Sequence, residues 1–199
     1  YFPRAYDDRS ALRRIADLVP GETAGVAAMV ASPPTISHIR KGLDLVKLRA
    51  VDDTGTLVDG DQVLAICGAD LMEKGRLPGN AIVATVMSNL GLRLYCENRG
   101  VELKITPVGD RNVLEEMVKN GYVLGGEQSG HTIFRHFATT GDGELTALQL
   151  LSVVHRRGTK LSEMVAVCPR YPQILINVTV KSKEKKEAIM ADVGLQSAI

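Results

Sequence analysis

The spacing of apolar positions divides the chain into two parts of different character. Before residue 59 the apolar positions form only short extended segments, whereas after it helical spacing alternates with continuous apolar runs. The pattern predicts helices over residues 61–74, 88–98, 110–120 and 142–156, and strands over residues 81–86, 101–106, 122–125 and 132–134. Strands alternating with helices at this spacing predict an α/β fold with three layers and a mostly parallel sheet.

Polar residues mark the predicted beginnings of these helices. Asp61, Ser88, Asp110 and Asp142 each precede a helical pattern, and we expect their side chains to cap the helices. The third helix carries a stripe that predicts Val113, Leu114, Met117 and Val118 as its inward face.

The two ends of the chain have weaker patterns. Residues 43–51 alternate as a half-buried strand does, and residues 53–55 form a turn signal. After about residue 160, Pro169 and Pro172 mark a linker, followed by a strand over residues 173–180 and a helix that begins at Lys183. We therefore predict a β-rich segment over 1–57, an α/β domain over 58–166 and the start of a truncated C-terminal domain over 167–199.

The composition excludes several classes of protein. With 45% hydrophobic residues and no apolar run of about 18 residues, the 199-residue chain is neither disordered nor membrane-spanning. Its 24 Lys and Arg residues balance 23 Asp and Glu residues, which argues against a nucleic-acid partner. Three cysteines without a CxxC spacing predict reduced thiols in a cytoplasmic protein.

Residues 125–131 (GGEQSGH) are the strongest candidate for chemistry. Glu127, Ser129 and His131 follow a predicted strand on a glycine-rich loop, where ligands bind in α/β sheets. A carboxylate can accept two sugar hydroxyls, and a serine can donate and accept, so the loop suits a polyol. From spacing alone, a polar turn with a hydrogen-bonded histidine explains these residues equally well.

Other polar clusters have simpler interpretations. Arg111 at a helix start can bind a phosphate through its planar guanidinium, although a solvated arginine is the commoner outcome. Asp142 is better explained as a helix cap than as part of an anion site. Asp59 and Asp61 lack a third oxygen ligand, because Val63 occupies that place. We therefore predict no catalytic and no metal-binding residue.

Six motifs in register resemble the phosphoglucosamine mutases of the α-D-phosphohexomutase family. They span residues 58 to about 190 and comprise residues 58–62 (VDGDQ), 85–91 (TVMSNLG), 108–111 (VGDR), 126–131 (GEQSGH), 139–143 (TTGDG) and 171–173 (YPQ). The resemblance implies the third domain, of α/β/α type, and the beginning of the fourth domain of a four-domain enzyme. That enzyme interconverts glucosamine 6-phosphate and glucosamine 1-phosphate through a phosphoserine and a bisphosphorylated intermediate, with Mg²⁺ assisting.

The resemblance also implies the partner and the site. We expect a hexosamine phosphate whose hydroxyls contact Glu127 and Ser129, with His131 and Arg111 as further substrate-binding residues. The family's phosphoserine loop (SASHNP type) and C-terminal phosphate loop (RxSGT type) do not occur in the chain. Its Mg²⁺ loop (DGDxDR) belongs about a dozen residues before Asp59, where residues 45–51 read LVKLRAV. We therefore predict that this chain alone has no mutase activity.

Residues 1–57 resemble a different protein. Residues 2–9 (FPRxYxDR) and 15–22 (IADLxPGE) are similar to the wedge domain of RecG-type branch-migrating DNA helicases, an oligonucleotide-binding β-barrel. The chain is thus interpreted as a chimera joined within residues 51–58, which suit both families. A nucleic-acid-binding module is the alternative function, which neutral charge and few aromatic residues disfavour. Because a partial barrel leaves open strand edges, we expect residues 1–50 to pack poorly or to dock as a ribbon on the α/β domain.

Overall fold

The computed structural model describes residues 47–174, 180 and 182–194. Its strands are β1 (Ala50–Val51), β2 (Leu57–Val58), β3 (Ala81–Thr85), β4 (Glu102–Thr106), β5 (Leu124–Gly126) and β6 (Thr132–Phe134). Its α-helices are α1 (Gly60–Glu73), α2 (Leu90–Arg99), α3 (Asp110–Asn120), α4 (Gly143–Arg157), α5 (Leu161–Val165) and α6 (Lys183–Met190). The resemblance over residues 2–22 and most of the strand expected over 173–180 lie outside the described residues.

The main sheet has four strands in the order β4-β3-β5-β6. Strand β3 pairs in parallel with β4 and β5, while β6 returns antiparallel to β5. The connection from β3 to β4 contains α2, and that from β4 to β5 contains α3. Parallel strands require such crossover connections. The predicted α/β class with a mostly parallel sheet is confirmed.

Helices cover both faces of this sheet. Ala81 and Val83 of β3 pack against Val113 and Met117 of α3 on one face. The intervening residues of β3 join a larger core with α1, α2 and α4 on the other face. Because both faces are covered, β3 is buried along its whole length, which explains its continuous apolar run.

Three of the four predicted helix caps are wrong by one or two residues, and those of α1 and α2 are two of them. Helix α1 is capped by Asp59, whose Oδ1 accepts the Gln62 N–H at 3.1 Å, while Gln62 Oε1 accepts the Asp59 N–H at 3.2 Å. Asp61 already lies in the first turn, where its side chain cannot cap. Helix α2 is capped by Asn89 rather than Ser88.

The remaining helix predictions are mixed. Asp142 caps α4 as predicted, accepting the Leu145 N–H at 2.8 Å. Asp110 is the first residue of α3 and not its cap, because Gly109 takes the capping position. Val118, predicted to face inward, is 58% exposed, since α3 buries only the narrow stripe of Val113 and Met117. A short helix, α5, occupies part of the region predicted as a linker.

Strands β1 and β2 form a hairpin that packs on the α/β core. Ala50 pairs with Val58, and the Asp52 carboxylate accepts the Thr54 and Thr56 N–H groups at 2.9 Å within the turn. Leu48, Ala50 and Val58 are buried in the larger core. Residues 47–50 therefore dock on the domain, and the domain boundary predicted after residue 57 falls inside β2 and stays a prediction.

All three cysteines are buried in the fold. Burial raises the pKa of Cys67, Cys96 and Cys168 to about 12 in each case. Their thiols are thus protonated and shielded from solvent at neutral pH. Of the helices described, none is long and apolar enough to cross a membrane.

We predict that the three thiols react with a disulfide reagent such as DTNB only after the domain opens. At pH 8 a thiol of pKa about 12 is ionised in about one molecule in ten thousand, against about a quarter for an unfolded cysteine. Thiol release at 412 nm should therefore be at least a hundredfold slower in buffer than in guanidinium chloride. A thiol that reacts in buffer at the unfolded rate contradicts its burial.

Candidate functional site

A cleft of about 420 Å³ opens at the carboxyl-terminal edge of the parallel strands. Its volume lies within the roughly 300–1,000 Å³ common for small-molecule sites. The edge is also the place where ligands bind in open α/β sheets. The residues that line it are Leu48, Arg49, Leu57, Val58, Asp59, Gly60, Thr85, Met87, Val108, Glu127, Gln128, Ser129 and Arg170.

The loop between β5 and β6, residues 127–131, forms one side of this cleft and is held by its own backbone. The Glu127 N–H donates to the His131 carbonyl at 2.8 Å, and the Gly130 N–H donates to the Glu127 carbonyl at 3.0 Å. Gly130 has a φ of +97°, a conformation that favours glycine. We call residues 127–131 the recognition loop below.

Two neighbouring segments fix the recognition loop in place. The Gly60 N–H at the start of α1 donates to the Gln128 carbonyl at 2.9 Å, and the Leu48 N–H donates to the Gly130 carbonyl at 2.9 Å. A Cβ on Gly60 would lie only 2.0 Å from the Glu127 carbonyl oxygen. The loop thus packs directly on the helix start, and only a glycine at residue 60 allows this approach.

Glu127 and Ser129 present their side chains to the cleft. Glu127 Oε1 accepts the Gly109 N–H at 3.0 Å, and the Ser129 hydroxyl donates to Glu127 Oε2 at 3.3 Å. Glu127 is half-buried and Ser129 is exposed. Each carboxylate oxygen keeps a second lone pair for a ligand hydroxyl, and the serine oxygen can accept another.

The structure places His131 and Arg111 elsewhere. His131 is 1% exposed, and its Nδ1 contacts the Asp110 carboxylate. Its other edge packs on Gly141, where a Cβ would lie 1.8 Å from Nε2. Arg111 pairs with Glu115 at 2.7 Å, and its side chain is 89% exposed. Neither residue lines the cleft, so their role in substrate binding stays a prediction.

His131 is thus a packed histidine in a polar turn. Burial lowers its pKa, and the nearby Lys47 adds to this effect. The buried ring of His131 is consistent with a polar turn, although its Nε2 has no hydrogen-bond partner among the described residues. The side chains of Glu127 and Ser129 are consistent with ligand binding, and both interpretations stay predictions.

Sequence analysis missed the cationic part of the cleft. Arg170 lies with its Nε 3.1 Å from Asp59 Oδ2, and Arg49 lines the cleft from the segment before β1. The D-x-x-Q spacing of Asp59 and Gln62 is a sequence signal for a helix cap, which could have identified Asp59. No local pattern predicts the position of Arg170, because its ion pair with Asp59 joins residues far apart in the chain.

The described residues do not fit the Mg²⁺ that the resemblance implies. In the part of the chain that the structure describes, Asp110, Glu127 and His131 are the grouping whose ligand atoms lie within 4.8 Å of one another. Mg²⁺ requires an octahedron of oxygen ligands. Here one donor is an imidazole already in contact with Asp110, and both Glu127 oxygens are hydrogen-bonded.

A buried carboxylate supports the segment that carries Arg170. Asp61 is 1% exposed, and its Oδ2 accepts the Asn89 N–H at 2.6 Å. Burial raises its pKa to about 6, although the hydrogen bond from the Asn89 N–H opposes the rise. The Asn89 side chain in turn donates to the Tyr171 carbonyl at 2.8 Å and accepts the Tyr171 N–H at 2.9 Å.

Comparison with known proteins agrees with this fold. Residues 59–171, more than half of the chain, match the family model of phosphoglucomutase/phosphomannomutase, alpha/beta/alpha domain III. The phosphoglucosamine mutase of Thermoanaerobacter sp. (strain X514) is 53% identical over 156 residues, which are 78% of this chain and 35% of that protein. That of Alkaliphilus metalliredigens (strain QYMF) is 56% identical over 149 residues, or 75% of this chain and 33% of that protein. The chain spans about a third of the length of these relatives.

Two solved structures share the fold at low identity. A phosphoglucomutase/phosphomannomutase family protein from Burkholderia thailandensis has a TM-score of 0.54 and 22% identity, covering 64% of this chain and 27% of its own. An N-acetylglucosamine-phosphate mutase has a TM-score of 0.57 and 19% identity, covering 74% of this chain and 38% of its own.

We predict that Asp61→Asn makes the fold more stable relative to the wild type as the pH rises. A folded pKa of about 6 exceeds the unfolded value of about 3.9, so ionisation of Asp61 favours unfolding. Its contribution is most favourable below pH 4 and is lost as the pH rises through 6, by about 3 kcal/mol. Urea unfolding of both proteins at pH 4 and pH 8 measures this difference.

Asp52→Asn provides a control of opposite sign. Slight burial raises the pKa of Asp52, but the hydrogen bonds from Thr54 and Thr56 outweigh it and lower the pKa. That carboxylate therefore stabilises the fold above its unfolded pKa and loses its contribution as the pH falls. Equal pH dependence of Asp61→Asn and wild type would contradict the assignment to Asp61.

Proposed function

The chain belongs to the phosphoglucomutase/phosphomannomutase family, and on that premise we propose that it is the sugar-recognition domain of a sugar-phosphate mutase. The proposed ligand is a hexosamine phosphate, in keeping with the names of its 53% and 56% identical relatives. One observation carries the proposal: Glu127 and Ser129 line a cleft at the carboxyl ends of the parallel strands.

The recognition loop is prepared for hydroxyl groups before a ligand arrives. The Gly109 N–H holds Glu127 Oε1, and Ser129 holds Oε2, so the carboxylate is fixed in one orientation. A fixed carboxylate can accept two neighbouring ring hydroxyls without loss of side-chain freedom on binding. Hydrogen bonds to a charged acceptor contribute about 1.5–3 kcal/mol each.

In this proposal the chain binds and orients the sugar and leaves phosphoryl transfer to other parts of a mutase. Transfer requires an in-line nucleophile and charge neutralisation on the phosphoryl oxygens. The chain contains no loop of the family's phosphoserine type, and its described residues do not fit Mg²⁺. The Mg²⁺ that the family resemblance implies would neutralise phosphoryl charge on those other parts.

We predict that Glu127→Gln weakens binding of glucosamine 6-phosphate about tenfold or more. The amide keeps the side-chain size but replaces a charged acceptor with a neutral one, which costs about 1.5 kcal/mol or more. Isothermal titration calorimetry of the 199-residue chain measures the dissociation constant. Glu97→Gln, on the exposed surface of α2, is the matched control and should bind as the wild type does.

A comparison of two phosphate-bearing ligands separates sugar recognition from non-specific anion binding. Glucosamine 6-phosphate should bind more tightly than glycerol phosphate, which lacks the ring hydroxyls. Equal affinity of wild type and Glu127→Gln for the hexosamine phosphate would show that the carboxylate does not contact the sugar.

We also predict that the chain alone does not isomerise glucosamine 6-phosphate in the presence of Mg²⁺. Phosphorus-31 NMR distinguishes the 6-phosphate from the 1-phosphate, and a full-length phosphoglucosamine mutase serves as the positive control. Formation of the 1-phosphate above the rate without protein would show that the missing loops are dispensable.

A further inference from the structure

Glu127 is oriented by a peptide group that is itself held by a second side chain. The peptide that joins Val108 to Gly109 donates its N–H to Glu127 Oε1 at 3.0 Å. Its carbonyl, that of Val108, accepts the Asn112 side-chain amide at 2.9 Å. We propose that Asn112 and Gly109 are positioning residues, which fix the Glu127 carboxylate in the orientation that receives a sugar hydroxyl. This proposal rests on the proposed function and adds residues that act through Glu127, since neither of the two lines the cleft.

The conformation of Gly109 turns this N–H toward Glu127. Gly109 precedes α3 with a φ of +123° and a ψ of 134°, a combination that residues other than glycine rarely adopt. Its carbonyl accepts the Asn112 N–H at 2.9 Å, so the same residue also begins the helix. A Cβ on Gly109 would come no closer to another residue than 3.5 Å, from Asn112 Nδ2. A side chain here therefore causes backbone strain rather than a collision, and the strain falls on the peptide that holds Glu127.

The helix that carries Asn112 is fixed by the core beneath it. Gly125 lies in β5, the strand that leads into the recognition loop. A Cβ on Gly125 would lie 2.8 Å from Met117 Sδ and 2.9 Å from Val113 Cγ1, so α3 packs closely on this strand. The position of Asn112 relative to the recognition loop is thus set by the packing of α3 on the sheet.

The peptide is the stronger of two restraints on the carboxylate. Ser129 is exposed, and its hydroxyl donates to Glu127 Oε2 at 3.3 Å, which is long for such a bond. The hydrogen bond that Asn112 donates to the peptide carbonyl also makes the N–H a better donor, because linked hydrogen bonds polarise one another. A carboxylate without this restraint would have to lose rotational freedom when a ligand binds, which lowers affinity.

The first test uses alanine variants at both ends of α3. Asn112→Ala and Gly109→Ala should each weaken binding of glucosamine 6-phosphate by about fivefold, measured by titration calorimetry on the 199-residue chain. Asn120→Ala is the matched control for Asn112, because Asn120 also donates to the carbonyl four residues earlier, that of Glu116, at 3.1 Å. Gly121→Ala is the matched control for Gly109, because Gly121 has a φ of +77° and a Cβ there would meet no atom within 4 Å. Both controls should bind as the wild type does.

The second test observes the Gly109 amide directly and needs no ligand. In hydrogen exchange followed by NMR, Glu127→Ala and Asn112→Ala should each speed exchange of the Gly109 N–H by about fivefold. The amide of Met117, inside α3, should keep its wild-type rate in both variants. A role confined to the stability of the helix would instead speed both amides together.

The outcomes separate the positioning role from sugar recognition. Wild-type affinity in both Asn112→Ala and Gly109→Ala, beside weakened binding in Glu127→Gln, overturns the positioning role and leaves the proposed function standing. Equal losses in Asn120→Ala and Gly121→Ala also overturn it, because they would show a general effect of destabilising α3.

The exchange data decide the remaining cases. If the wild type does not bind the sugar phosphate, the proposed function falls, and exchange of the Gly109 amide alone decides whether Asn112 and Gly109 hold Glu127. Faster exchange in Glu127→Ala and in Asn112→Ala supports this arrangement, and an unchanged rate in either variant overturns it. If Gly109→Ala fails to fold by circular dichroism, Asn112→Ala and the exchange of the Gly109 amide decide the question.

Discussion

The close approach of Gly60 to the Glu127 carbonyl is the contact on which the site depends. With no side chain at residue 60, the start of α1 can donate its N–H to Gln128, and the recognition loop can rest on the helix. Any Cβ there would collide with the carbonyl oxygen at 2.0 Å. Asp59, the residue before Gly60, caps the helix and lies 3.1 Å from Arg170 Nε. The tight contact at Gly60 thus brings the recognition loop next to the residue that pairs with a cation of the cleft.

The regular elements were predictable because their physics is local. A strand covered on both faces needs an unbroken apolar run, and β3 has one; a helix covered on one face needs a stripe, and α4 has one. Caps were harder, since neighbouring polar residues compete and only backbone geometry decides between them. Asp59, with an extended ψ of 174°, caps α1, whereas Asp61 turns inward to accept the Asn89 N–H.

The candidate site was predictable only in part, for a related reason. Glu127 and Ser129 carried a local signal, because glycines surround them on a loop that follows a strand. Arg170 and Arg49 carried none, since both reach the cleft through contacts that join distant segments of chain. His131 carried the same local signal, and its substrate-binding role stays a prediction. Its ring packs against Asp110 and Gly141, a contact that the spacing in the motif did not reveal.

The charged side chains that line the cleft determine which ligand groups it attracts. Two carboxylates line the cleft. Asp59 caps α1 through Oδ1 and pairs with Arg170 through Oδ2, which leaves Glu127 as the negative charge available to a ligand. Arg49 and Arg170 add two cations to the same lining. Exposed ion pairs weaken as salt screens them, whereas hydrogen bonds from neutral hydroxyls respond little. The salt dependence of binding therefore separates ionic contributions in this cleft from those of hydroxyl groups.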